Sequence, residues 1–302
     1  VAQSLIKILL TGSTGFIGAA CRRAIDARRY QVLAPSSAEC ELFDEAVVRD
    51  YLLRHRPTHL LHTAWRAVHG DIMHSPQNLA WQEASLSLVK AFQEAGGVRA
   101  ACIGSSAEYD WSGGGICRIG RTPLRPATVY GSAKHALHLA ARELAASTGL
   151  SLVWPRVFDL YGPGDHPSRL GATVLRSVLS GAPVELTHGR QVRDYMYVTD
   201  VAEGITAALL SGYEGETDIA SGVPHTVREL ATEIARQAGR EDLLLFGART
   251  PSANDPPVVM GDGSHARAAI QWGPRFTLQQ GVAGLVAWGR NTFIADMASG
   301  NT

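Results

Sequence analysis

The chain opens on an apolar run, SLIKILLTG, that ends in glycine, and the next stretch, GFIGAACRRAIDARRY, puts Phe16, Ile17, Ala20, Cys21, Ala24 and Ile25 on one face at helical spacing. This reads as strand, tight turn, helix. The alternation continues with YQVLAP, THLLHTAW, VRAACIGSS and LSLVWPRVF as strands, and FDEAVVRDYLLRH, NLAWQEASLSLVKAFQEAG and TVYGSAKHALHLAARELAASTG as the helices between them. Strands joined by helices of this length connect through right-handed crossovers, so the pattern predicts an α/β fold with a doubly wound parallel sheet covered on both faces. Beyond about residue 160 the rhythm breaks into Gly- and Pro-punctuated stretches, LYGPGDHPSRLG and LSGAPVELTHGRQVRDY, with short helices such as TVRELATEIARQAG. Residues 1–160 therefore read as one domain and 161–302 mainly as a smaller α/β lobe, with short segments free to return to the first domain. The closing ASGNT reads as a frayed tail.

Composition narrows the classes. With 302 residues, 45% hydrophobic and 19% charged, the chain can bury a large core. Its 28 basic residues balance 28 acidic ones, which supplies no global field for nucleic acid or an anionic membrane. The opening VAQSLIKILLTGSTGFIG lacks the layout of a secretory signal, and no run approaches about 18 uninterrupted apolar residues, so a soluble, cytoplasmic protein is expected. Cys21, Cys40, Cys102 and Cys117 make no CxxC pair, and the 11 histidines, His62, His135 and His138 among them, make no metal-ligand spacing. His135 and His138 read as surface residues of one helix face.

Two local patterns carry chemistry. Gly12, Gly15 and Gly18 in TGSTGFIG lie between the first strand and the first helix, where a backbone bend, a close pyrophosphate and a helix–strand contact each exclude a side chain. The helix start beyond them offers free N–H groups to that pyrophosphate. The second pattern is Tyr130-x-x-x-Lys134, in a chain with only three lysines. Residues four apart share a helix face, so the ammonium can lower a phenol pKa that is ordinarily about 10. A drop of about three units would need ~4 kcal/mol of differential stabilisation. Proton transfer beside a hydride step also calls for a hydroxyl donor at the preceding strand end, where GSSAEY offers Ser105 and Ser106.

The GxxGxxG spacing, YGSAK, and the stretches SPQNLAW, IGSSAEYDW, RVFDLYGPGD, RDYMYVTDVAEG and IQWGPRFTLQQGVAGLVAW occur in an order that resembles the extended short-chain dehydrogenase/reductase superfamily, the branch acting on nucleotide-sugars. The resemblance implies a Rossmann first domain, with Ser105, Tyr130 and Lys134 catalytic. It implies cofactor contacts from Gly12, Thr14, Gly15, Phe16, Ile17, Gly18, Ser36, Ser37 and Ala64, shared with Tyr130 and Lys134. An acid that holds the adenosine ribose is missing directly after the second strand. Ser36 and Ser37, helped by Arg22 or Arg23, would instead accept a 2′-phosphate, so NADP(H) is favoured and NAD(H) kept open.

For substrate, the resemblance points to a nucleotide-diphosphate sugar held by Arg193, with Arg169, Asp159 and Ser106 as further contacts. Asp159 stands where the family usually has Asn. The 4,6-dehydratases carry Asp-Glu after the catalytic hydroxyl; Ser106 and Ala107 stand there instead, which argues against dehydration. The expected activity is a 4-keto sugar nucleotide reductase similar to CDP-abequose-synthase-like enzymes, with a C4 epimerase as alternative. A non-catalytic dinucleotide sensor is a distant third, because such proteins lose members of the catalytic set. DWSGGGICRIGRTPLRP reads as a mobile flap, and Glu108 and Asp110 as solvated rim carboxylates. The family also implies a homodimer through the helices around residues 78–92 and 133–146.

Overall fold

The computed structural model describes residues 6–28, 30–66, 72–252 and 255–299. Strands β1 (Lys7–Thr11), β2 (Gln31–Leu33), β3 (His59–His62), β4 (Arg99–Cys102), β5 (Ser151–Val157) and β6 (Gly215–Ile219) lie in the order β2-β1-β3-β4-β5-β6, all parallel. The two-residue strand Gly104–Ser105 follows β4 and pairs with β5, completing a seven-stranded sheet. The order reverses at β1, opening a crevice between the C-terminal ends of β1 and β3 where such sheets take ligands.

Side chains alternate across the sheet, so Ile8 and Leu10 of β1 face one core and Leu9 the other. The first core is closed by α1 (Phe16–Asp26), α6 (Val198–Leu210) and α8 (Ser264–Ile270), through Cys21, Ile25, Val201, Ile205 and Leu209. The second is closed by α2 (Glu45–His55), α3 (Gln77–Glu94) and α4 (Val129–Thr148), through Leu52, Val89, Phe92, Leu137 and Ala141. Local chemistry sets the ends of these helices. Asp44 caps α2 by accepting from the Ala46 and Val47 amides, Thr128 caps α4, and Gly149 ends α4 at φ +74°.

The strand–helix alternation read from the sequence stops at residue 158, yet the sheet does not. β6 reads GETDI, a polar stretch by hydropathy, because Thr217 and Asp218 are buried there as polar groups. Asp218 accepts from the Tyr109 hydroxyl at 3.0 Å, which satisfies the burial. A separate lobe packs α5 (Leu170–Ser180), α7 (Val227–Ala238) and α9 (Leu278–Ser299) around Leu175, Val178, Leu230, Ile234 and Leu285. α9 runs through Ser299, which takes in the first two residues of the expected frayed tail; 300–302 lie outside the described residues.

The expected flap is tied down at its middle. Ile116–Cys117 joins a four-stranded sheet beside Val258–Gly261, and Arg118 pairs with Asp262 at 3.1 Å. Gly113, Gly114 and Gly115 at its tip, and Gly120 beyond the tied segment, stand in open space. Among the described residues no helix is long and apolar enough to cross a membrane. All four cysteines are buried and free.

Candidate active site

A cleft of about 1740 Å³ runs from the glycine turn to the second lobe, lined by Gly12, Thr14, Gly18, Ser105, Tyr130 and Arg193 among others. Drug-sized pockets are typically about 300–1,000 Å³, so this one has room for two large ligands. At its floor Gly12 adopts φ +71°, and a Cβ there would come within 2.7 Å of the Ala64 backbone. A Cβ on Gly18 would sit 2.0 Å from the Gly12 carbonyl oxygen, so helix α1 can approach the turn only through glycine. α1 has no side-chain cap and no acid in its first turn. Its amides and positive dipole end are therefore available to an anion, and the turn fits a dinucleotide pyrophosphate. The expected contacts Thr14, Gly15, Phe16, Ile17, Ser36, Ser37 and Ala64 line the same cleft.

Ser105 and Tyr130 line the cleft, and Lys134 is buried behind them on the helix of Tyr130. The Ser105 Oγ accepts from the Ala107 amide at 3.1 Å, which leaves its own proton to donate. Burial pushes the Tyr130 phenol up to about 12, against the opposing pull of the Ser105 hydroxyl; Glu108 adds to the rise and Arg169 opposes it. This corrects the expectation of a lowered phenol. The reason lies in Lys134, whose ammonium donates to the Ile103 carbonyl at 2.9 Å and sits 3.8 Å over the Trp65 ring. Burial pushes that ammonium down to about 7, so it is a weak counter-charge at neutral pH.

Trp65, unforeseen from the sequence, is thus part of the site. It stands edge-on to Tyr130 with ring centroids 6.1 Å apart and donates its Nε1–H to Asn78 at 2.9 Å. Its only signal was adjacency to Ala64.

The substrate side alternates charges. Arg193 pairs with Asp255 at 2.5 Å and lies 3.9 Å from Asp159, while Arg169 meets Asp165 at 3.2 Å. Burial raises the Asp159 carboxyl above its usual range, with Arg169 and Arg193 opposing. The acid in place of the family's Asn therefore turns to Arg193. Ser106 also lines the cleft, buried beside Ser105. Asp255 was missed, since nothing local distinguishes it from a loop aspartate.

Three expectations need correction. Glu108 is no rim carboxylate: it is fully buried and accepts from Arg156 Nε at 3.0 Å, Trp154 Nε1 at 3.0 Å and the Ser105 amide at 2.8 Å. His138 is buried and His135 half-buried, not on the surface, because the space between α4 and β5 is filled by this polar network. Glu108, His135 and His138 bring ligand-type atoms within 4.8 Å of one another, but Arg156 also donates to His138 Nδ1 at 3.3 Å. A guanidinium already supplies the positive charge there. No acid directly follows β2, which ends at Leu33; Glu39, in the turn beyond, accepts from the Ser36 amide and hydroxyl, each at 2.8 Å. Arg22 does not serve Ser36 and Ser37, because Asp26 one turn along α1 holds it at 2.8 Å. The signal for both glutamates was an S-x-x-E turn pattern.

A doubly wound parallel sheet, a glycine turn at its switch point and a Ser/Tyr/Lys set in the adjoining cleft define an enzyme of the extended short-chain dehydrogenase/reductase class. The chain belongs to the NAD dependent epimerase/dehydratase family, whose model matches residues 8–220. It is similar to a dTDP-L-rhamnose 4-epimerase of Burkholderia thailandensis, 31% identical over 241 residues that cover 76% of this chain and 62% of that protein. A dTDP-glucose 4,6-dehydratase of Xanthomonas campestris pv. campestris is 28% identical over 55% of this chain and 50% of its own length. The chain thus matches about half to two-thirds of the length of these relatives. Among solved structures, the UDP-glucose 4-epimerase of Thermus thermophilus, in complex with NAD, superposes with a TM-score of 0.83 at 26% identity, covering 94% of this chain and 99% of that one.

Proposed function

We propose that this protein binds NAD(H) and a nucleotide-diphosphate sugar and moves hydride at carbon 4 of the sugar, as a C4 epimerase. The observation that carries the reading is the turn after Ser105. Ser106 and Ala107 offer no acid–base pair, and the nearest carboxylate, Glu108, is buried and occupied by three partners. Without such a pair no elimination of water can be driven, which leaves hydride transfer at one carbon; the 4-epimerases among the relatives favour its epimerase form over a reductase.

The nicotinamide, when bound, supplies the hydride acceptor and donor. The Tyr130 phenol would be lowered by the positive charge of the oxidised cofactor when bound, so that Tyr130 as phenolate would take the proton of the sugar hydroxyl and return it; Ser105 would donate a hydrogen bond to the same oxygen. Lys134 uses one N–H on Ile103, leaving donors that fit ribose hydroxyls. Arg193, freed from Asp255, and Arg169 hold the diphosphate by charge-assisted hydrogen bonds.

The choice of NAD(H) is supported by the Glu39 carboxylate, which holds Ser36 of the cleft lining and would repel a 2′-phosphate there, and by the NAD in the Thermus thermophilus relative. A second reading, an NADPH-dependent 4-keto reductase, uses the same catalytic set. It is supported by the exposed hydroxyl of Ser37, which suits a 2′-phosphate, whereas Ser36 donates its proton to Glu39. The second lobe would carry the sugar nucleotide, and exposed Leu79 and Leu139 on α3 and α4 fit a homodimer. Four buried thiols fit a reducing, cytoplasmic setting.

The test assays purified protein with UDP-, dTDP-, CDP- and GDP-sugars for C4 inversion by NMR, and with 4-keto-6-deoxy sugar nucleotides for oxidation of NADH and NADPH. Inversion without external cofactor establishes the epimerase. Stoichiometric NADPH oxidation without inversion replaces it with the reductase, and neither outcome sinks both.

A further inference from the structure

Behind the catalytic hydroxyl lies a set of charged groups that the reaction does not touch. Glu108, Arg156 and His138 are each at most 2% exposed, and they link three elements. From the Ser105 turn, the Glu108 carboxylate accepts the Ser105 amide at 2.8 Å, while the Ser105 hydroxyl accepts the Ala107 amide at 3.1 Å. From β5, Trp154 and Arg156 donate to the same carboxylate, each at 3.0 Å. From α4, His138 stacks on Trp154 at 4.8 Å and accepts from Arg156 at 3.3 Å.

The turn also abuts the first residues of α4. A Cβ on Gly131, the residue after Tyr130, would lie 2.1 Å from the Ala107 carbonyl oxygen, so the helix start rests directly on the turn. Gly104 is under the same constraint: its Cβ would lie 2.6 Å from Glu108 Oε1 and 2.3 Å from Trp154 Nε1. A buried ion pair is weak support for stability, since desolvation offsets much of the attraction. Its location beside the Ser105 turn calls for another role.

We infer that Glu108 is a positioning residue: it locks the turn carrying Ser105 between β5 and the start of α4, and thereby fixes the Ser105 hydroxyl relative to Tyr130 and Lys134. The inference rests on the hydride-transfer reading above. Because the Ser105 oxygen is committed to the Ala107 amide, the locked turn leaves its proton pointed to the cleft. The groups facing Glu108 are Arg156, Trp154 and the Ser105 amide, with His135, His138 and Lys134 close by and Glu216 beyond Arg156. The carboxylate also bears on the ammonium, raising Lys134 against the lowering by burial; Cys102 acts in the same direction.

The experiment compares Glu108→Gln with wild type, alone and in a Ser105→Ala background, using the turnover that wild type shows. Glu108→Gln keeps the shape and removes the charge. The expected result is a fall in kcat of at least tenfold with KM within about twofold, partial rescue by Glu108→Asp, and no further fall when Ser105 is already Ala. Lysine labelled with ¹³C gives few signals in a chain with three lysines, and the Lys134 resonance should titrate at lower pH in Glu108→Gln. If Glu108→Gln does not fold, the neutral pair Glu108→Gln/Arg156→Gln takes its place with the same expected loss of kcat. A kcat within twofold of wild type, or an equal fall with and without the Ser105 hydroxyl, overturns the inference. If wild type turns over none of the substrates, the functional reading has failed by itself; the Lys134 titration then decides, and an unmoved midpoint overturns the inference.

Discussion

Lys134 gives the sharpest prediction, because its buried position works against stability. Its side chain is 4% exposed, and burial takes the ammonium from its usual 10.5 to about 7. The unfolded chain restores the usual value, so between about pH 7 and 10.5 the unfolded state binds more protons than the folded one and stability rises with pH. Below the folded value the penalty is present in full. At about 1.4 kcal/mol per pH unit it amounts to ~5 kcal/mol in acid and ~4 kcal/mol at pH 7.

Lys134→Met removes the charge and keeps the aliphatic stem. It gives up one hydrogen bond to Ile103 and the contact with the Trp65 face, together about 2 kcal/mol. The variant should therefore be more stable than wild type by about 2 kcal/mol at pH 7 and inactive, a stability–function trade-off. The advantage should vanish near about pH 9, since ~2 kcal/mol of the wild-type penalty is relieved between pH 7 and there. Urea unfolding of both proteins, without added nucleotide, at pH 6, 7, 8 and 9 reads the gap directly. A wild type as stable as the variant at pH 6, or a gap that does not change with pH, refutes the reasoning.

Other outcomes follow from the same geometry. Tyr130→Phe should lower kcat by roughly 10²–10⁴-fold while leaving cofactor affinity, measured by fluorescence titration, near wild type. Gly12→Ala places a side chain against the Ala64 backbone in a left-handed conformation, and should cost about 1–3 kcal/mol in urea unfolding and abolish cofactor binding. Arg193→Met should raise the KM for the sugar nucleotide by roughly 10–100-fold with a smaller effect on kcat, as expected for loss of charge-assisted hydrogen bonds. Glu39→Gln should shift cofactor preference several-fold toward NADP(H), read as the ratio of the two dissociation constants.

Much of the fold was legible because strands and helices here obey their periods. The face of α1 read from Phe16, Ile17, Ala20, Cys21, Ala24 and Ile25 is the face that packs on the sheet. The glycine turn was legible because its constraint is steric and local. β6 escaped because its buried positions are polar, and a buried Asp218 is recognisable only from the Tyr109 hydroxyl that satisfies it, 109 residues away. The raised phenol escaped for a related reason. Spacing put Lys134 and Tyr130 on one helix face, but Ile103 and Trp65, just past the ends of β4 and β3, decide where the ammonium rests.

The division is clearest in one tetrapeptide that occurs twice. Ser36-Ser37-Ala38-Glu39 follows β2, and Ser105-Ser106-Ala107-Glu108 follows β4 and the short strand beside it. The sequence determines the same bond in both: the glutamate accepts the amide of the serine three residues earlier, at 2.8 Å each time. A serine followed by glutamate at that distance closes this turn from its own backbone geometry. Tertiary structure decides everything else about them. β2 is a sheet edge, so Glu39 in the turn beyond it faces solvent. β4 is central, so Glu108 is enclosed by β5 and α4, where a carboxylate persists only because Arg156 and Trp154 meet it.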